Sequence, residues 1–279
     1  MPWRPGQHAE AVELEQPYED VPPHLASVLW QWIVDPLRNS DELLQVVGLY
    51  LRLPMPDATS GPSAHGSALD KLASLVNEQP TLRLDLVEAV LRATSDDYRY
   101  RSHLEALEPL LAIGHSAYRV RDDFTALEMR IMPETRDAVA AAVDAGSARG
   151  SSGAHLAAAW NAAFGRSSRD PVKAYSEAIK AVEAAAAPVV SPKNLKATLG
   201  TMIGEMAANT SSFEVSITST TVDPVEVVIG DLRLLWTGQT SRHGGVGPTV
   251  AETAESAQAA VHLAAALVQM FVSGGIKRR

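Results

Sequence analysis

A chain of 279 residues, 46% hydrophobic and 20% charged, can bury one large or two ordinary cores, and this excludes a disordered protein. It contains no cysteine, which excludes disulfides, thiolate metal sites and thiol nucleophiles. The net charge of -9 is uneven: residues 1–112 hold 8 Lys+Arg against 17 Asp+Glu, and residues 113–279 hold 16 of each. A phosphate-binding surface is therefore expected only in the second part, because such surfaces need local positive charge.

Residues 1–20 are polar, acidic and broken by proline, the pattern of a loose arm. They lack the basic and apolar stretches of a leader peptide. The most apolar run, Ala259 to Val272, includes His262 and Gln269 and is shorter than the roughly 20 residues that cross a bilayer. A cytoplasmic protein that does not enter a membrane is expected.

Taken in order, Pro22-Pro23 opens a helix with Leu25, Val28, Leu29, Trp32 and Ile33 at helical spacing, and Pro36 ends or kinks it. Ser40 or Asp41 caps a second helix through Leu51, and Asp57 to Gly66 reads as a turn-rich loop. A short helix around Leu69, Leu72 and Val76 follows, then another over Leu82 to Leu91. A longer one starts at Ser95-Asp96-Asp97 and stops at Gly114. Residues 116–144 read as one or two helices broken near Pro133, and the Gly- and Ser-rich stretch Gly146 to Gly153 as a connector.

Leu156, Ala159, Trp160 and Phe164 mark a short amphipathic helix. Asp170-Pro171 pairs an N-cap with a proline suited to the first helical position, and Val172, Tyr175, Ile179, Val182 and Ala186 continue the apolar face. Leu195, Leu199, Met202, Ile203 and Met206 mark the next helix. Phe213 to Thr221 alternates like a short strand but has no evident partner, so an extended crossover is expected. A last apolar helix spans about Ala251 to Val272, and Gly274-Gly275 frees a basic tail that touches RNA or solubilises the C-terminus. The fold class is all-α, with an acidic helical domain over 1–112 and a second helical domain over 113–279, the Gly146–Gly153 connector being the alternative boundary.

The chemistry-bearing groups concentrate in Asp223 to Gly245. Asp223, Pro224 and Glu226 form a helix start. Val225, Val228, Ile229, Leu232, Leu235 and Trp236 form its apolar face, with Arg233, Glu226, Gly230 and Thr237 opposite. The helix runs into a loop bounded by Gly238 and Gly244-Gly245 that holds Gln239, Arg242 and His243. Such a pair suits phosphodiester cleavage: a histidine moves the proton of a 2′-hydroxyl near neutral pH, and a guanidinium holds the phosphate. The same residue types also fit an ordinary helix-ending loop. Glu255, His262 and Gln269, seven apart on the last helix, form either a polar relay toward that loop or the polar edge of a packed helix. The remaining histidines show no metal-ligand spacing, Gly244-Gly245-Val246-Gly247 lacks the lysine of a phosphate loop, and Ser116 lacks the second glycine of a nucleophile elbow.

The AYSEAIKAVEAA helix, the SRHGG loop at the end of a helix and the apolar AAVHLAAALVQMF helix together resemble the abortive-infection C-terminal domain, within the HEPN group of helical domains. The resemblance covers roughly residues 115–279. It implies bacterial antiviral defence or RNA metabolism, a homodimer, and a metal-independent ribonuclease that needs no cofactor. His243 and Gly244 match the family's His-Gly. In the family, four to six residues separate the arginine from the histidine. With six, five and four residues intervening stand Trp236, Thr237 and Gly238, and Arg233 lies further back. On the resemblance, His243 and Arg242 are the catalytic candidates, with Gln239, Arg233 and His262 as RNA-binding or supporting contacts. A non-enzymatic interaction or dimerisation module with a degenerate site is the alternative. In it the acidic N-terminal region docks a protein partner.

Overall fold

The computed structural model describes residues 17–56, 62–194, 196–241 and 250–279. Several expected features lie outside the described residues: most of the N-terminal arm, Leu195, part of the 57–66 loop, and the segment 242–249 with Arg242, His243 and Gly244-Gly245. The chain is predominantly helical, with two small antiparallel two-stranded sheets among the described residues. It forms two compact units, Met1–Arg130 and Ile131–Arg279.

The first unit comprises α1 (Pro23–Leu37), α2 (Asp41–Tyr50), α3 (Pro62–Glu78), α4 (Leu82–Thr94), α5 (Arg101–Glu105), α6 (Leu107–Ile113) and the hairpin β1 (Tyr118–Val120) and β2 (Leu127–Met129). Pro36 sits in the last turn of α1, which ends one residue later at Leu37. Ser40 caps α2 by accepting the Leu43 amide at 3.1 Å. The expected long helix from Ser95 is divided into a 3-10 turn, α5 and α6.

The helix expected over 116–132 is instead the β1–β2 hairpin, with Tyr118 opposite Met129, Arg119 opposite Glu128 and Val120 opposite Leu127. Tyr118, Val120 and Leu127 turn inward onto the core of α1, α4 and α6. Buried Glu88 of α4 accepts the Leu127 amide at 3.0 Å, and Glu108 of α6 accepts the Val120 amide at 2.9 Å. The hairpin thus belongs to the first unit, and the division falls between residues 130 and 131 rather than at 112/113.

The second unit comprises α7 (Pro133–Ser147), α8 (Ser152–Phe164), α9 (Pro171–Val190), α10 (Leu199–Ala208), β3 (Phe213–Val215), α11 (Pro224–Gly238), α12 (Ala254–Ser273) and β4 (Ile276–Arg278). Asp170 caps α9 by accepting the Lys173 amide at 3.0 Å. α9 packs most extensively on α8 and α12, α7 closes the other side, and α10 and α11 pair beside them. The Gly146–Gly153 stretch is a tight α7–α8 turn inside this unit. A Cβ at Gly153 would strike Ser147 and the Val143 carbonyl.

Phe213 to Val215 is a strand, and its partner is the basic C-terminal tail. Phe213 pairs with Arg278, Glu214 with Lys277 and Val215 with Ile276. Gly274 makes this return possible, because its φ of +80° ends α12 in the left-handed conformation that glycine accepts most readily. The tail is therefore built into the unit. Arg278 lies over the Phe213 ring and donates to the Val190 carbonyl at 2.8 Å, and Arg279 donates to the Ser211 carbonyl.

Candidate functional site

α11 begins where Asp223 accepts the Val225 amide at 2.9 Å and Pro224 occupies the first turn. Its buried face is Val225, Val228, Ile229, Leu232 and Leu235. Trp236 is half-buried against Gly200 of α10, where an added Cβ would lie 2.8 Å from the indole ring. At the last residue of α11, a Cβ on Gly238 would strike the Tyr175 hydroxyl of α9. The end of the helix is thus fixed by two close approaches, one to α10 and one to α9.

Gln239, half-buried and extended, leads out of α11. The two described ends of the following segment are then tied together. Thr240 donates its hydroxyl to the Val250 carbonyl at 2.6 Å, and Ser241 donates both its amide and its hydroxyl to one oxygen of Glu252, each at 2.9 Å. Glu252 is only 7% exposed. Burial alone would raise its carboxyl, but the bonds from Ser241 outweigh that and hold it below the usual carboxylate range. Its second oxygen is buried and has no hydrogen-bond partner among the described residues. A buried carboxylate held ionised beside the ends of segment 242–249 is suited to receive a cationic or N–H group. Just beyond it, Thr253 caps α12 by accepting the Ser256 amide at 3.2 Å.

The other expected site residues are dispersed. Arg233 is exposed on the outward face of α11, and its carbonyl accepts the Thr237 hydroxyl. His262 of α12 packs against α8, with ring centroids 5.3 Å from Phe164 and 6.0 Å from Trp160. Burial there lowers its pKa below the ordinary histidine value. Among the described residues, no hydrogen bond or ion pair joins Gln239, Arg233 and His262. Glu255 and Gln269 are exposed, so the seven-residue stripe on α12 is a polar edge flanking one packed imidazole.

Several remaining histidines join helices. The His65 Nδ1 meets Asp41 at 2.5 Å, His155 meets Glu177 at 2.7 Å, and His103 stacks on Trp32 with centroids 4.6 Å apart. Among the described residues no group of three or more His, Asp or Glu is placed to hold a metal ion. Among them α12 alone is long and apolar enough to cross a membrane, and its apolar positions pack on α7, α8 and α9.

Thr240, Ser241 and Glu252 are the residues that sequence reasoning passes over. Nothing in TVAETAES distinguishes Glu252 from Glu255 except its place just before the Thr253 cap. Comparison of the chain with protein-family models, with curated proteins and with solved structures finds no match.

Proposed function

We propose that this chain is an HEPN-like protein of bacterial defence or RNA metabolism, whose C-terminal unit cleaves RNA without a metal ion. The observation that supports this reading is the clasp of Thr240, Ser241, Val250 and Glu252. It ties together the two ends of the short segment that carries Arg242 and His243. Holding reactive groups in a restrained geometry is what lowers the barrier of a two-centre reaction. In the proposed mechanism His243 takes the proton of a ribose 2′-hydroxyl, and the 2′-oxygen attacks the adjacent phosphorus. The bond to the 5′-oxygen breaks, that oxygen takes up a proton, and a 2′,3′-cyclic phosphate remains. Arg242 holds the phosphate and balances its developing charge. Gln239, at the mouth of the segment, is the supporting contact.

A second reading rests on a specific feature. Trp236 stands where the family places its arginine and is held there against Gly200, while Arg233 faces outward from α11. In that reading the C-terminal unit binds or dimerises without cleaving, and the acidic N-terminal unit docks a protein partner. An RNA-cleavage and growth-toxicity assay separates the two. The ribonuclease reading expects both activities in the wild type and their loss in His243→Ala and Arg242→Ala. RNA retained but uncut by the wild type supports the second reading, and equal cleavage by all three chains sinks the catalytic assignment.

A further inference from the structure

The outward face of α11 carries a pattern that the fold of its own unit does not use. Glu226, Val227, Gly230, Arg233 and Leu234 are all exposed, and Val227 and Leu234 are exposed apolar side chains at 49% and 65%. The side chains of Glu226 and Arg233 form no hydrogen bond or ion pair with any described residue. Gly230 lies mid-helix, where glycine costs stability relative to alanine. Nothing in the unit requires it, since an added Cβ would meet no atom within 4 Å. A glycine where the chain itself leaves open space is suited to close approach by another backbone.

The spacing of these residues is self-complementary. Val227 and Leu234 are seven apart on one side of the outward stripe, and Glu226 and Arg233 are seven apart on its other side. Turning a second α11 antiparallel about a two-fold axis near Gly230 keeps each side facing itself and reverses order along the helix. Val227 then meets the second copy's Leu234, Glu226 meets its Arg233, and the two glycines cross at the centre. Every contact occurs twice, as an isologous interface requires.

We propose that this face of α11 is a self-association surface, on which two copies of the chain pack antiparallel about Gly230. The proposal stands on α11 alone and does not need the ribonuclease reading. A contact of one helix stripe is small beside the roughly 1,200–2,000 Å² of a stable interface, so a concentration-dependent dimer is expected. Its charged pairs set register and orientation more than affinity.

The experiment is sedimentation equilibrium of the full chain across about 1 to 100 μM, with circular dichroism confirming helical content for every variant. The wild type is expected to pass from monomer to dimer. Arg233→Glu and Glu226→Arg, each placing like charges together twice, are expected to weaken association about tenfold or more, and the double exchange to restore it. Gly230→Leu is expected to abolish the dimer while the monomer keeps an equal or higher thermal midpoint, because leucine favours helix and meets open space. A wild type that stays monomeric over the range overturns the proposal. So does a dimer that Gly230→Leu leaves intact, or a double exchange no tighter than the single variants. None of these readouts uses RNA, so failure here is distinct from failure of the cleavage assay.

Discussion

In the N-terminal unit leucine fills the core: Leu29, Leu44, Leu72, Leu91, Leu104 and Leu111 are at most 1% exposed. In the C-terminal unit the buried positions of α9 and α12 are dominated by alanine, among them Ala174, Ala178, Ala181, Ala257 and Ala264. Interaxial distance follows side-chain size. Bulky residues let short helices of irregular length share a core, with a hairpin sealed on by Glu88 and Glu108. Small residues allow two 20-residue helices to lie close along their length. The first unit distributes its buried polar bonds across a hairpin edge. The second concentrates them at helix ends, where Glu252 clasps Ser241 and Glu183 accepts the Leu199 amide at 2.7 Å.

Because of this difference in packing, the two cores are expected to fail in opposite ways. Leu91→Ala in the first unit leaves a cavity and is expected to cost about 2–5 kcal/mol. Ala264→Leu in the second overfills a close approach and is expected to cost about 1–3 kcal/mol. Chemical denaturation checks both, since Trp30 and Trp32 report on the first unit and Trp160 and Trp236 on the second. Tolerance of Ala264→Leu with no loss of stability would erase the contrast.

A smaller effect tests the polar side of the comparison. Glu252→Gln removes the ionised acceptor of the Ser241 bonds and is expected to destabilise the second unit by about 1–3 kcal/mol, without changing the denaturation of the first. Loss of stability in both units together would show that the clasp is not a local device.

The smallest effect is a pH dependence. His262 has its pKa lowered by burial from an ordinary 6.5, so the folded state holds it neutral where the unfolded chain takes up a proton. Its contribution to stability is therefore complete above pH 6.5 and is lost as the pH falls from there through the lowered folded value. His262→Phe keeps an aromatic ring beside Trp160 and Phe164 and should flatten the slope of the melting temperature below pH 6.5. An unchanged slope would assign that dependence to other groups.

Where signals are local, the sequence declares the fold. Ser40, Asp170 and Asp223 each cap the helix that their neighbours announce, because a cap is chemistry within three or four residues. The β1–β2 hairpin escapes notice because three-residue strands offer barely one full alternation. β3 escapes because its partner lies at the far end of the unit, beyond two helices. The site divides in the same way. Asp223 to Gly238 reads correctly as a helix with one buried face, and the exposed position of Arg233 follows from that spacing. The clasp was not legible, since Glu252 acquires its role only when α11 and α12 bring Ser241 to it. Nor does the sequence reveal that Gly238 and Gly200 are glycines for Tyr175 and Trp236.

The pairing of β3 with β4 has a consequence for dissecting this molecule. It turns residues 213–278 into a closed circuit: strand, helix, intervening segment, helix and strand back to the start. The segment 242–249 spans two anchors that the rest of the circuit already holds, and the entropy of such a closure changes slowly with length, by about 0.6 kcal/mol per doubling. On the proposed ribonuclease reading, exchanging 242–249 for a neutral linker is expected to remove RNA cleavage while circular dichroism shows the unit still folded.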